Sequence, residues 1–92
     1  MANEVTRNDE QHRYEIRVDG DLAGFTEFRP AGGTLVFPHT EIGERYGGQG
    51  LAKQLIGAAL DDVRGRGEKI VPQCEFVRGF IEKNPDYADL VA

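Results

Sequence analysis

The sequence predicts an α/β fold of the α+β kind: a mixed, mostly antiparallel sheet with helices packed on it, in the order β-β-β-α-β-α. Three observations carry this. Residues 12–18 alternate, with His12, Tyr14, Ile16 and Val18 on one side and Arg13, Glu15 and Arg17 on the other, the period of a strand with one buried face. Leu51, Ala52, Leu55, Ile56, Ala59, Leu60 and Val63 recur at helical spacing and form one apolar stripe. A short apolar run, "KIVPQC", follows that helix. A strand reached through a helix runs parallel to the strand before it, by a right-handed crossover.

With 92 residues, one domain spanning 1–92 is expected. Residues 1–11 are polar and are expected to be a flexible N-terminus. Asp19-Gly20 after the first strand is a two-residue hairpin signal, and "LAGFTEF", residues 22–28, is the return strand. "RPAGG" is a second turn. The third strand, "TLVFPHTEI", starts at Thr34, and Pro38 within it cannot donate a ladder hydrogen bond, so the strand should bulge or break there. In the long helix Lys53, Gln54, Gly57, Asp61 and Arg64 fill the polar face, and Gly65 and Gly67 stop it. "EFVRGFIEK" reads as a short helix ended by Asn84-Pro85, with Phe76, Val77, Phe80 and Ile81 inward. "PDYADLV" supplies one or two last helical turns. Phe25, Phe28 and Phe37 are expected in the core, His12 is expected to pack on the apolar face of its strand, and Tyr87 to pack beside Leu90.

Charge narrows the partners. The formal net charge is −5 and no Lys/Arg cluster stands out, which argues against a nucleic-acid reader. An anionic partner must then be small and met by a few local groups. No apolar run approaches a membrane span, and "MANEVTRNDEQHR" lacks the apolar core of a signal peptide. A single cysteine forms no internal disulfide. The expected location is therefore cytoplasmic, with no membrane partner. No set of metal ligands stands out.

The stretch "ERYGGQGLAKQL", residues 44–55, places Gly47, Gly48 and Gly50 immediately before the helix. Glycine is a poor residue for starting a helix if the helix is all that matters. The first N–H groups of a helix have no internal partner and lie at its positive end, so they form an anion site. Without a Cβ, glycine lets a phosphate approach that backbone closely. The alternative is a flexible turn that binds nothing. A Walker loop is excluded because Gly48 is followed by Gln49 and Gly50. A dinucleotide fingerprint is excluded because Lys53 stands where its third glycine belongs.

In its context, after a strand and before an amphipathic helix, Arg45-Tyr46-Gly47-Gly48-Gln49-Gly50 resembles the acetyl-CoA motif Arg/Gln-x-x-Gly-x-Gly/Ala of the GCN5-related N-acetyltransferases. "HTEI" (39–42), "GGQGLAKQL" (47–55), "VPQCEFV" (71–77) and "NPDYADLV" (84–91) extend the likeness to the small single-domain, YjdJ-type or NATD1-like branch. The resemblance implies a minimal fold of that family, with two parallel strands splayed apart and acetyl-CoA in the V between them. It places the pantetheine arm beside the bulged strand end, His39 to Ile42, with Glu41 and Ile42 as cofactor-binding residues. The pyrophosphate loop becomes Arg45, Tyr46, Gly47, Gly48, Gln49, Gly50 and Leu51, with Ala52 and Lys53 in the first helical turn. The extra helices that commonly build an acceptor pocket in the family are missing, so an open site or one completed by a partner chain is expected.

Cys74 ends the strand after the helix, and His39 lies near the end of the neighbouring strand. One mechanism is a two-step transfer of acetyl through Cys74 with His39 as base; the other is direct attack by an amine with His39 as base. Glu41, Glu75 and Tyr87 are alternative acid–base groups. Cys74 is also the kind of small apolar side chain that cores bury, and His39 can simply hydrogen-bond the bulge. The expected activity is acetyl-CoA-dependent N-acetylation of an amine, small molecule or protein, by a monomer or homodimer. A non-catalytic module that binds CoA or acetyl-CoA, and an interaction protein whose glycine turn binds nothing, are the competing readings.

Overall fold

A computed structural model describes residues 2–92. Five strands form one sheet in the order β1-β2-β3-β4-β5: β1 Asn3–Asn8, β2 Arg13–Val18, β3 Asp21–Ala31, β4 Thr34–Ile42 and β5 Lys69–Pro72. The first four pair antiparallel, and β5 pairs parallel to β4. Helix α1 (Leu51–Gly65) joins β4 to β5, and α2 (Glu75–Lys83) follows β5. Pro85–Leu90 form a 3₁₀ segment. The mixed α+β class holds, with one more strand at the start than periodicity predicts.

That extra strand corrects the expected flexible N-terminus at 3–8. Val5 is the one apolar residue among Asn3–Asn8, so no alternation marks the strand. Polar contacts fasten it instead. Arg7 donates to Glu68 at 2.9 Å and to Tyr14 at 3.3 Å, and its guanidinium lies 4.8 Å from the centre of the Phe28 ring. Burial works against the charge on Arg7, but its hydrogen bonds to Glu68 and Asp9 outweigh that and hold its pKa above the ordinary value. Asn3 donates to Gln54 on α1 at 3.0 Å.

The hairpins follow the turn residues. Asp19 and Gly20 both have positive φ, 50° and 90°, as a two-residue turn of the right twist requires. Gly32 and Gly33 do the same between β3 and β4, so β3 runs on through Arg29–Ala31 rather than turning at Pro30.

One face of the sheet is covered by the helices. Tyr14, Ile16, Phe28, Leu35 and Phe37 meet Leu55, Ile56, Leu60 and Val63 of α1 and Val77 of α2 in a core from which water is excluded. Each such side chain contributes about 1.5–3 kcal/mol by leaving water. Three expectations fail here. Phe25 is half-buried on the opposite face, under Arg13 at 4.7 Å. Phe76 is 51% exposed. His12 is exposed in the β1–β2 turn with φ 53°, so it lies off the strand although the alternation extends to it.

Candidate active site

Pro38 sets the geometry of β4. Glu27 faces His39 and Arg29 faces Val36, so Phe28 alone stands opposite Phe37 and Pro38. This is the bulge the proline demands. The extra residue shifts the phase of every side chain beyond it. Leu35 and Phe37 face the core; two residues on, strict alternation would place His39 there, but Thr40 takes that place. His39 and Glu41 project on the uncovered face, where His39 Nε2 lies 2.8 Å from Glu41 Oε2 and the His39 ring meets Phe25 edge-on at 6.3 Å.

The same region is where β4 and β5 part. Their parallel pairing runs only from Thr34 with Lys69 to Phe37 with Pro72. A last bond follows, in which the Cys74 amide donates to the Phe37 carbonyl at 2.8 Å. From His39 to Ile42, β4 is paired on its β3 side alone, leaving an open backbone edge. Gly24 lets β3 stay close here, because a Cβ on it would sit 2.5 Å from both the Glu41 carbonyl oxygen and Ile42 Cδ1.

Cys74 stands at the mouth of that gap. It is the N-cap residue of α2, and its side chain makes no capping bond. Its thiol instead donates to Thr40 Oγ1 at 3.3 Å, and Thr40 Oγ1 lies 2.7 Å from Thr26 Oγ1. All three side chains are buried. The structure therefore brings Cys74 to Thr40 and leaves His39 with Glu41 on the opposite face of the sheet. The sequence alone does not single out Thr26 or Thr40, because the inward phase of β4 beyond Pro38 depends on how many residues the bulge inserts, and only the pairing with β3 shows that number.

The glycine loop has a conformational reason and an open surface. A 3₁₀ turn, Glu44–Tyr46, leads into Gly47, which is extended. Gly48 and Gly50 have φ of 75° and 72°, in the left-handed region where other residues are strained. Nothing lies within 4 Å of where a Cβ would stand on either. Gly50 caps α1 without a side-chain bond, and no acidic residue occupies the first turn. The first helical bond runs from the Gln54 amide to the Gly50 carbonyl at 3.1 Å, so the amides of Leu51, Ala52 and Lys53 precede the ladder. Leu51 offers only backbone, since its side chain is core. Tyr46 is half-buried, Gln49 is exposed, and the Arg45 guanidinium rests 5.1 Å over the Tyr46 ring.

A groove of about 540 Å³ runs from this turn to α2, lined on one side by Gly50, Ala52 and Lys53 and on the other by Phe76, Phe80 and Lys83. That is within the size range of small-molecule sites. Glu75 lies at its α2 end. Tyr87 packs on Phe80 at 5.2 Å and donates to Asp61 at 2.7 Å. Among the described residues, no cluster of three or more His, Cys, Asp or Glu is placed to hold a metal, and no helix is long and apolar enough to cross a membrane.

A profile of the family described as GCN5-related N-acetyl-transferase matches residues 13–90. The chain is 30% identical to Protein NATD1 of Danio rerio over 83 residues, covering 88% of this chain and 76% of that one. It is 38% identical to Protein NATD1 of Homo sapiens over 47 residues, covering 51% of this chain and 42% of that one. The fold is similar to a GCN5-like protein of Staphylococcus aureus solved by NMR, with TM-score 0.72, 23% identity, and coverage of 97% of this chain and 87% of that one. It is also similar to a ribosomal-protein-alanine N-acetyltransferase of Brucella melitensis, with TM-score 0.54, 24% identity, and coverage of 87% and 60%.

Proposed function

The chain belongs to the GCN5-related N-acetyltransferases, and on that premise we propose that it takes an acetyl group from acetyl-CoA and delivers it to an amine by way of Cys74. The observation that carries this is the pairing of an uncapped helix start with an open strand edge. The amides of Leu51, Ala52 and Lys53 and the bare backbone of Gly48 and Gly50 suit a diphosphate. Lys53 and Lys83 border the groove beside them and add positive charge to an acidic protein. The free edge at His39–Ile42 suits the amides of a pantetheine arm, which pair with it as a strand would. An arm laid there ends its thioester beside Cys74.

The first step is thioester exchange. The Cys74 sulfur bonds to the acetyl carbon, the bond from that carbon to the CoA sulfur breaks, and the Cys74 proton ends on the departing CoA sulfur. No outside base is consumed, which fits the absence of a histidine beside the thiol. In the second step the amine nitrogen attacks the acetyl carbon and the Cys74 sulfur leaves. His39, steadied by Glu41 on the uncovered face, takes the amine's proton, and the Cys74 thiolate is reprotonated from solvent.

Thermal unfolding with and without acetyl-CoA tests the binding half of this reading. At about 100 times its Kd the ligand should stabilise the protein by about 2.7 kcal/mol. No shift at millimolar acetyl-CoA would leave the reading without support. Mass spectrometry of the incubated protein tests the chemistry: one acetyl group on Cys74 is expected, and an unmodified thiol with full turnover in Cys74→Ser would remove the two-step route.

A further inference from the structure

The polar chain Cys74–Thr40–Thr26 lies in an otherwise apolar core. Thr26 and Thr40 are 0% and 5% exposed and face each other directly across β3 and β4. Valine has nearly the shape of threonine and would need no partners, so two hydroxyls here call for an explanation beyond packing. Each hydroxyl carries one proton and two lone pairs. The chain therefore has two arrangements with equal numbers of bonds. In one, the thiol donates to Thr40 and Thr40 donates to Thr26. In the other, Thr26 donates to Thr40 and Thr40 donates to the Cys74 sulfur. The 2.7 Å contact between the hydroxyls accommodates a donor on either side.

We propose that Thr40, backed by Thr26, is the positioning residue of acetyl transfer: its hydroxyl accepts the Cys74 proton at rest and turns to donate to the sulfur as negative charge develops there. This deepens the reading of Cys74 as acetyl carrier and rests on it. The turn matters twice. During exchange it stabilises the sulfur as its proton departs to CoA, and during attack by the amine it stabilises the same sulfur as a leaving group. Both steps gain without a charged base in the core, where an unpaired charge is costly. His39 cannot serve this purpose, because the Pro38 bulge sends it to the other face.

Thr40→Val keeps the shape and removes the hydroxyl. The rate of Cys74 acetylation by acetyl-CoA, followed by mass spectrometry, should fall about tenfold to a hundredfold, the range for losing one hydrogen bond to a charged group. The Kd for acetyl-CoA should stay within about twofold, which separates this role from one in binding. Thr40→Ser should restore most of the rate, and Thr26→Val should give a smaller loss in the same direction. Thermal unfolding of each variant confirms that it is folded. Alkylation of Cys74 by iodoacetamide reads the same hydroxyl without acetyl-CoA and should also slow in Thr40→Val. If the parent protein is not acetylated while Thr40→Val still slows alkylation, the acetyl-carrier reading fails and the role of the hydroxyl stands. Acetylation and alkylation at parental rates in Thr40→Val, or a Thr40→Ser variant no faster than Thr40→Val, overturns the proposal.

Discussion

The Cys74 thiol donates to the Thr40 hydroxyl at 3.3 Å, across the point where β4 and β5 stop pairing. That contact exists because Pro38 adds one residue to β4 and so exchanges the places of Thr40 and His39. Nucleophile and histidine end on opposite faces of one sheet, and the two half-reactions acquire separate helpers.

His39→Asn should therefore divide the reaction. Acetylation of Cys74 in the absence of an amine should proceed within about twofold of the parental rate. Release of the acetyl group to an amine should slow by about 10²–10⁴, the usual contribution of a positioned base. Single-turnover mass spectrometry resolves the two steps. Equal slowing of both would return His39 to the thiol.

Much of the fold was legible, and its failures share a cause. Periodicity marked α1, α2 and the core strands because those elements bury apolar side chains at a fixed spacing. It missed β1, which Arg7 and Asn3 hold by polar contacts that leave no period. Asp19-Gly20 and Pro38 each announced their local geometry. What Pro38 does to the residues after it was not legible, because one inserted residue inverts the inside and outside of a strand and only the partner strand shows how many residues were inserted. The sequence accounts for the glycine loop as room for a ligand; the positive φ angles at Gly48 and Gly50 are a second and independent demand for glycine.

Gly48→Ala should therefore act on stability and on binding together. The left-handed backbone costs the apo protein about 1–2 kcal/mol, read by urea unfolding. The added methyl intrudes where the diphosphate is expected, and acetyl-CoA affinity should fall tenfold or more, measured by calorimetry. Gly65→Ala, at the far end of α1 with open space around it, is the control and should bind as the parent does. Unchanged affinity in Gly48→Ala would move the diphosphate elsewhere.

Gly24→Ala tests how closely β3 and β4 must approach. Its Cβ would stand 2.5 Å from the Glu41 carbonyl and from Ile42 Cδ1, and backbone cannot yield as a flexible side chain does. A loss of about 1–3 kcal/mol is expected, with amide shifts concentrated at Glu41–Gly43. A variant as stable as the parent would show that the strand end is looser than described.

Glu15 gives the fold an acid limit. Burial alone would raise its pKa, but hydrogen bonds from Arg17, Arg13 and Asn8 outweigh that and hold it below the ordinary glutamate range. The folded protein thus binds this proton more weakly than the unfolded chain. The stabilisation is complete above the ordinary value of about 4.3 and is lost as pH falls through the lowered one. Glu15→Gln should destabilise by about 1–3 kcal/mol at neutral pH and show a flatter loss of stability on acidification. Parallel acid limbs in the two proteins would assign that limit to other carboxylates.

The central claim is that acetyl-CoA is held by the amides at the start of α1 and laid along the free edge of β4. An amide-resolved NMR titration with acetyl-CoA tests it most directly. The largest shifts should fall at Gly48–Lys53 and at His39–Ile42, with Cys74 and Glu75 following. Saturable binding that leaves those amides unmoved and shifts another surface would contradict the account.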